Sequence, residues 1–178
     1  MRRSVTALAT VAVLLGACAP QNTNYSIPRC NVISDSLILA AQSVPTATKI
    51  PCLGALPAGW SRGPFTARDG ATTFTLDSDR AGIEAVEVAL LRTCNFSSTT
   101  GVPSDEPGTV RYDYIGPPED SYSTIRYYLF DGGCVTQEFE FRGRGRTALI
   151  EDVTNALSFV DRSDIRAAIE KQGLRLDP

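Results

Sequence analysis

Apolar and polar side chains alternate on both sides of Asp131-Gly132-Gly133. Ile125, Tyr127 and Leu129 precede these three residues, and Val135, Gln137, Phe139 and Phe141 follow them. A period of two sends successive side chains to opposite faces of an extended chain, and a glycine-rich turn between two such runs predicts a β-hairpin. The same period recurs upstream. Phe74 and Leu76 alternate with threonines, Val86, Val88 and Leu90 with Ala85, Glu87 and Ala89, and Val110, Tyr112 and Tyr114 with Arg111 and Asp113. Short strands of this kind, joined by turns such as Asp77-Ser78-Asp79, imply an antiparallel sheet with one buried face.

Helical spacing flanks the strands. Ile33, Leu37, Ala40, Ala41 and Val44 recur at intervals of three and four, predicting a helix over 31–44 that Pro45 ends. Residues 45–60 carry three prolines and the only tryptophan, and read as an extended strap with Trp60 as a plug. Leu149, Ile150, Val153, Ala156, Leu157 and Val160 predict a second helix capped by Thr147. Ser163 caps a third, running through Ile165, Ala168 and Ile169 to a stop at Gly173. The fold class is α+β, an antiparallel sheet with helices packed on one face. The 97–107 loop, rich in Ser, Thr, Pro and Gly, reads as mobile.

The N-terminus has its own layout. Arg2 and Arg3 precede an uncharged, mostly apolar run over 5–15, which closes on Leu15-Gly16-Ala17-Cys18. Charged start, short apolar stretch and small residues before a cut make a secretory signal. The apolar stretch is shorter than the ~18–20 residues that span a bilayer. Its last four residues resemble a bacterial lipobox, in which the cysteine is acylated and becomes the first mature residue. The implied organisation is a signal peptide over 1–17, a lipidated tether over 18–29, and a single extracytoplasmic domain over 30–178.

Composition narrows the chemistry. With Cys18 acylated, Cys30, Cys52, Cys94 and Cys134 remain, an even number suited to two disulfides in an oxidising compartment. Three pairings exist; Cys30–Cys52 with Cys94–Cys134 is preferred because each closes a modest loop between neighbouring elements. Without residues 1–17 the chain has 15 basic and 20 acidic residues, a net charge of −5. That balance lacks the concentrated positive surface nucleic acid needs, and it leaves diacylglyceryl on Cys18 as the membrane attachment. Histidine is absent, which excludes Ser-His-Asp and Cys-His catalysis and His-ligated zinc or haem. The cysteine spacings are wide and contain no C-x-x-C, so neither metal nor cofactor is expected.

If the strand tyrosines and phenylalanines face the core, Arg111, Asp113, Arg126, Thr136, Glu138 and Glu140 share the solvent face. They would form a polar platform for a glycan or peptide. Glu138 and Glu140, two apart on a strand, stand ~7 Å apart, within the range of glycosidase carboxylate pairs, although every exposed E-x-E strand meets that spacing. Arg142, Arg144 and Arg146 alternate with glycine and suggest an anion site, against the simpler reading of a solvated turn. The strand aromatics either pack the core or line a lipid cavity between sheet and helices. Three functions follow, in descending order. The first is a non-enzymatic envelope module that binds or scaffolds an envelope protein, glycan or lipid. The second is a carrier of lipid or glycolipid, and the third a carboxylate-dependent glycan hydrolase.

Longer segments carry a resemblance. Gln42-Ser43-Val44-Pro45-Thr46-Ala47-Thr48-Lys49-Ile50-Pro51-Cys52, then Leu56-Pro57-Ala58-Gly59-Trp60, Asp77-Ser78-Asp79-Arg80-Ala81-Gly82, Ser104-Asp105-Glu106-Pro107-Gly108 and Gly132-Gly133-Cys134-Val135-Thr136 are together similar to a family of actinobacterial envelope lipoproteins. Fifteen arginines against two lysines suit a high-GC source. The resemblance implies a location on the outer side of the cell membrane and a shared scaffold, and it carries no activity.

Overall fold

The computed structural model describes residues 25–97, 99–116, 121–142 and 146–176. In chain order these form α1 (Asp35–Ser43), β1 (Lys49–Leu53), β2 (Trp60–Arg68), β3 (Ala71–Ser78), β4 (Gly82–Leu91), β5 (Thr100–Val102), β6 (Val110–Ile115), β7 (Ser121–Phe130), β8 (Gly133–Arg142), α2 (Arg146–Thr154), β9 (Leu157–Asp161) and α3 (Arg162–Glu170). Seven strands make one antiparallel sheet in the order β2-β3-β4-β8-β7-β6-β5, and β1 pairs antiparallel with β9 in a second sheet. The architecture is the expected α+β. Both expected disulfides are present, Cys30–Cys52 and Cys94–Cys134.

The central strands, β4 and β8, are flanked by apolar neighbours. One face carries Phe74 and Leu76 from β3, Val86, Val88 and Leu90 from β4, and Val135, Phe139 and Phe141 from β8, all buried. Leu37, Ala40 and Ala41 of α1, Ile50 and Leu53 of β1, Val153 of α2, and Ile165 and Ile169 of α3 join them in one core cluster. All three helices and the small sheet therefore lie on this inner face, where non-directional apolar burial holds the layers together.

Local chemistry sets the boundaries. Ser34 accepts from the Leu37 N–H at 3.4 Å and caps α1, so the helix starts there and not at 31. It ends before Pro45, as expected. The strap is partly a strand, since residues 49–53 pair with β9. Here one reading needs correction. Residues 149–160 do not form a single helix: α2 stops at Thr154, and Leu157, Phe159 and Val160 lie on β9. Helical spacing is present in those residues, but β1 offers a full row of ladder partners and the aromatic and β-branched side chains suit it. Phe159 packs its ring 5.4 Å from that of Tyr128. Likewise Asp161, and not Ser163, occupies the N-cap position of α3. Gly173 follows α3 with φ +76°, as a helix stop should.

Two further segments are more engaged than their composition suggests. Ile27, read as part of the tether, is buried, and Pro28 accepts from the Leu53 N–H at 2.8 Å. The 97–107 loop contributes β5 and places Asp105 3.4 Å from Arg111. Trp60 is buried and packs edge-on to Phe141, which agrees with its role as a plug.

Candidate functional site: the uncovered face of the sheet

Pairing across β7 and β8 runs Phe130 to Gly133, Tyr128 to Val135, Arg126 to Gln137 and Thr124 to Phe139. The loop is thus the two residues Asp131 and Gly132. Directly opposed residues share a face, so the even positions of β7 join the odd positions of β8 on the inner side. This overturns the expected polar platform. Arg111, Asp113 and Arg126 face inward, while Glu138, Glu140 and Thr136 face outward. The set is split between two faces. Placing Ile125, Tyr127 and Leu129 with Val135, Gln137 and Phe139 corresponds to a three-residue loop, and one residue of slip reverses a whole strand.

The inward arginines are structural. Arg111 donates to both carboxylate oxygens of Asp113, at 2.8 and 2.6 Å, with side chains 14% and 18% exposed. Arg126 lies 3.9 Å from the same carboxylate, donates to the Thr154 hydroxyl on α2, and sits over the Phe139 ring at 5.4 Å. Burial, then the Asp105 charge, pushes the Tyr128 phenol far above its ordinary range against the opposing pull of Arg126 and Arg111. Burial and Asp105 likewise raise Glu106, against a hydrogen bond from Ser158 and the charge of Lys49. These groups tie β6, β7 and the 104–109 loop to α2 and the small sheet.

The outward face is where the tyrosines are. Val110 opposes Leu129, Tyr112 opposes Tyr127, and Tyr114 opposes Ile125. Val110 is 57% exposed and the others are half-buried. Phe96 stacks on Tyr112 with ring centres 4.9 Å apart. The helices and the small sheet join the core cluster on the opposite face. The next strands continue the outward row in acid: Ile125 opposes Glu138, which opposes Glu87. Glu84, Glu87, Glu138 and Glu140 line a cleft of about 160 Å³. Glu84 is held at φ 51°, a left-handed conformation rare outside glycine, with the Asp77 carboxylate accepting its N–H at 2.8 Å. Burial, then Glu140 and Glu87, raises the Glu138 carboxyl above its ordinary value. Burial and Glu138 in turn raise the phenol of Tyr127.

Glu87 lies outward, as its alternation with Val86 and Val88 implies. Nothing in the alternation marks Phe96 or Glu84, and Tyr112, Tyr114 and Tyr127 turn outward because the β7–β8 loop has two residues and not three. Cys18 and Arg144 lie outside the described residues, as do the side chains of Arg142 and Arg146. The backbone of Arg142 ends β8 and pairs with that of Ser121. Two open grooves flank the β7–β8 turn. One, of about 440 Å³, runs past Phe96, Leu129, Phe130 and the Cys94–Cys134 disulfide; the other, of about 390 Å³, lies against Asp161, Arg162, Ser163 and Arg166. Among the described residues no three Cys, Asp or Glu side chains converge to hold a metal, and no helix is long and apolar enough to cross a membrane. No family model, curated protein or solved structure matches the chain.

Proposed function

We propose that this chain is a lipid-anchored protein of the cell envelope that binds or scaffolds another envelope component without catalysis. The uncovered sheet face is its binding surface. The observation that carries the reading is the outward patch in which Tyr112 opposes Tyr127 and Glu138, diagonal to Tyr127, opposes Ile125, on the face opposite the core cluster that the helices join. Aromatic rings with one wet edge are the residues that interfaces use, whereas a purely solvated face would carry short polar side chains. The lipobox at Cys18, the net charge of −5 and the resemblance to actinobacterial envelope lipoproteins support the location. Buried apolar side chains of the sheet, the helices and the small sheet form one core cluster, which favours a surface binder over a carrier with an internal cavity.

Fractionation of the source cells tests the anchor. Wild type is expected in the membrane fraction and Cys18→Ser in the soluble extracytoplasmic fraction; a membrane-bound Cys18→Ser protein would refute lipid attachment. Native mass spectrometry of protein from its own membrane tests the binder against the carrier, which would retain a lipid. One observation favours a second reading. The raised Glu138 beside Glu140 matches a general acid in glycan hydrolysis, and turnover of a cell-wall oligosaccharide that disappears in Glu138→Gln would establish it.

A further inference from the structure

Ion pairing among the described residues is uneven. Asp69, Asp79, Asp105, Asp113, Asp152 and Asp161 each lie within 4.0 Å of an arginine or lysine nitrogen. Glu84, Glu87, Glu138 and Glu140 share one cleft, and among the described residues no cation pairs with them. Glu87 stands directly opposite Glu138, an arrangement that destabilises a sheet when left alone. Beside these carboxylates lies the ring of Tyr127, with Tyr112 opposite it, and the faces of such rings attract cations.

We infer that the uncovered face takes a cationic segment of another envelope protein, with arginine or lysine heads on Glu87 and Glu138 and a further cation or apolar side chain over Tyr127 and Tyr112. The inference rests on the reading of this face as the binding surface and names its partner chemistry. Charge complementarity is the argument. A neutral glycan would stack on the tyrosines but leave the glutamates repelling one another, whereas a basic segment relieves that repulsion as it binds. A metal ion is the poorer fit, because among the described residues no three carboxylates, those of this cleft included, stand close enough to hold one. The dimensions agree with a peptide. From β4 to β6 the face crosses three strand spacings, roughly 14 Å, the length of about four extended residues.

The experiment uses the full chain and three probes: hexa-arginine, the same peptide with neutral citrulline at every position, and chitotetraose. Binding is followed by titration at low and physiological salt and by amide chemical-shift mapping. Hexa-arginine is expected to shift β6, β7 and β8 resonances, and the citrulline peptide to bind about tenfold more weakly or worse. Glu87→Gln with Glu138→Gln should weaken hexa-arginine about fivefold or more, and Tyr127→Ala should weaken it with no change of charge. Asp35→Asn with Glu170→Gln removes equal charge from exposed sites elsewhere and should leave affinity unchanged. If that control pair weakens binding as much as the glutamate pair, attraction is to net charge and the inference fails. Chitotetraose shifting this face where hexa-arginine does not would keep the face as a binding surface and overturn the cationic partner. Silence from all three probes would overturn both.

Discussion

Glu87 of β4 lies directly opposite Glu138 of β8, two carboxylates side by side on a face open to solvent. Burial first, then Glu140 and Glu87, lifts the Glu138 carboxyl above its ordinary value of 4.5. A group whose folded-state value is raised contributes stability that is fully present below the unfolded value and is lost as pH rises through the folded one. Acidifying from neutral pH toward 4.5 should therefore recover stability at this site. Glu138→Gln should be more stable than wild type at pH 7 by about 0.2–1 kcal/mol, with the advantage vanishing near pH 4. Urea unfolding of both proteins between these pH values checks it; a variant less stable at pH 7 would mean that Glu138 has a cationic partner.

The turn that sets the register is tight on its inner side. Gly132 has φ +74°, and an added Cβ would overlap the carbonyl oxygen of Thr46, whose hydroxyl donates to the Gly132 carbonyl at 2.6 Å. Gly173 has nearly the same φ, +76°, but open space around it. Gly173→Ala should cost the left-handed penalty alone, roughly 1–2 kcal/mol. Gly132→Ala should exceed it by at least about 1 kcal/mol, because the Thr46 backbone must also move. Equal losses in denaturant unfolding would show that the 45–48 segment does not close on the turn.

How far the sequence reached is plain at this hairpin. Alternation located both strands, and apolar spacing located the core positions of α1, β3 and β4, because each depends only on near neighbours. The two disulfides followed from loop lengths and compartment. Face assignment failed on β6 and β7 because it depends on the register, which one turn residue decides. Arg126 fits an inward position only because Asp113, Thr154 and the Phe139 ring meet it there, three partners distant in sequence. The strand at 157–161 was hidden for a related reason. Its partner β1 is more than a hundred residues upstream, and no local pattern announces such a pairing.

The inward charges offer a direct test of that face assignment. Asp113 holds Arg111 by two hydrogen bonds and lies near Arg126, with all three side chains less than a fifth exposed. Asp113→Asn should cost about 1–3 kcal/mol, because it takes the shared carboxylate from two partly buried guanidinium groups and leaves Arg111 with Asp105 and Arg126 with the Thr154 hydroxyl. Glu140→Gln, outward on β8, should cost nothing. Similar small effects from both would place Asp113 on the solvent face.

Gln137 is the converse case. It is fully buried between Arg126 and Val88, and neither its amide nitrogen nor its oxygen finds a hydrogen-bond partner among the described residues. Two unsatisfied polar atoms cost more than the apolar contacts of an isostere, so Gln137→Met should raise stability by about 1–3 kcal/mol in urea unfolding. A loss of stability would mean that the amide is bonded in solution.

The Cys94–Cys134 disulfide links the scaffold to the uncovered face. It joins residues 40 apart, and Cys134 stands opposite Leu129 at the apolar end of the outward row. Two residues past Cys94, Phe96 stacks on Tyr112. Closing a loop of this length stabilises by about 4 kcal/mol in the chain-entropy account, with 2–4 typical in practice. Replacing both cysteines by serine should cost that much in global stability. It should also free the 93–97 segment, whose ring contact alone contributes only about 0.5–1.5 kcal/mol. The Phe96–Tyr112 ring contact, read by nuclear Overhauser effects, should then weaken while those between Phe139 and Phe141, deep on β8, persist. If Phe96 stays on Tyr112 in the double serine variant, the aromatic row is held by its own packing and the disulfide serves the core alone.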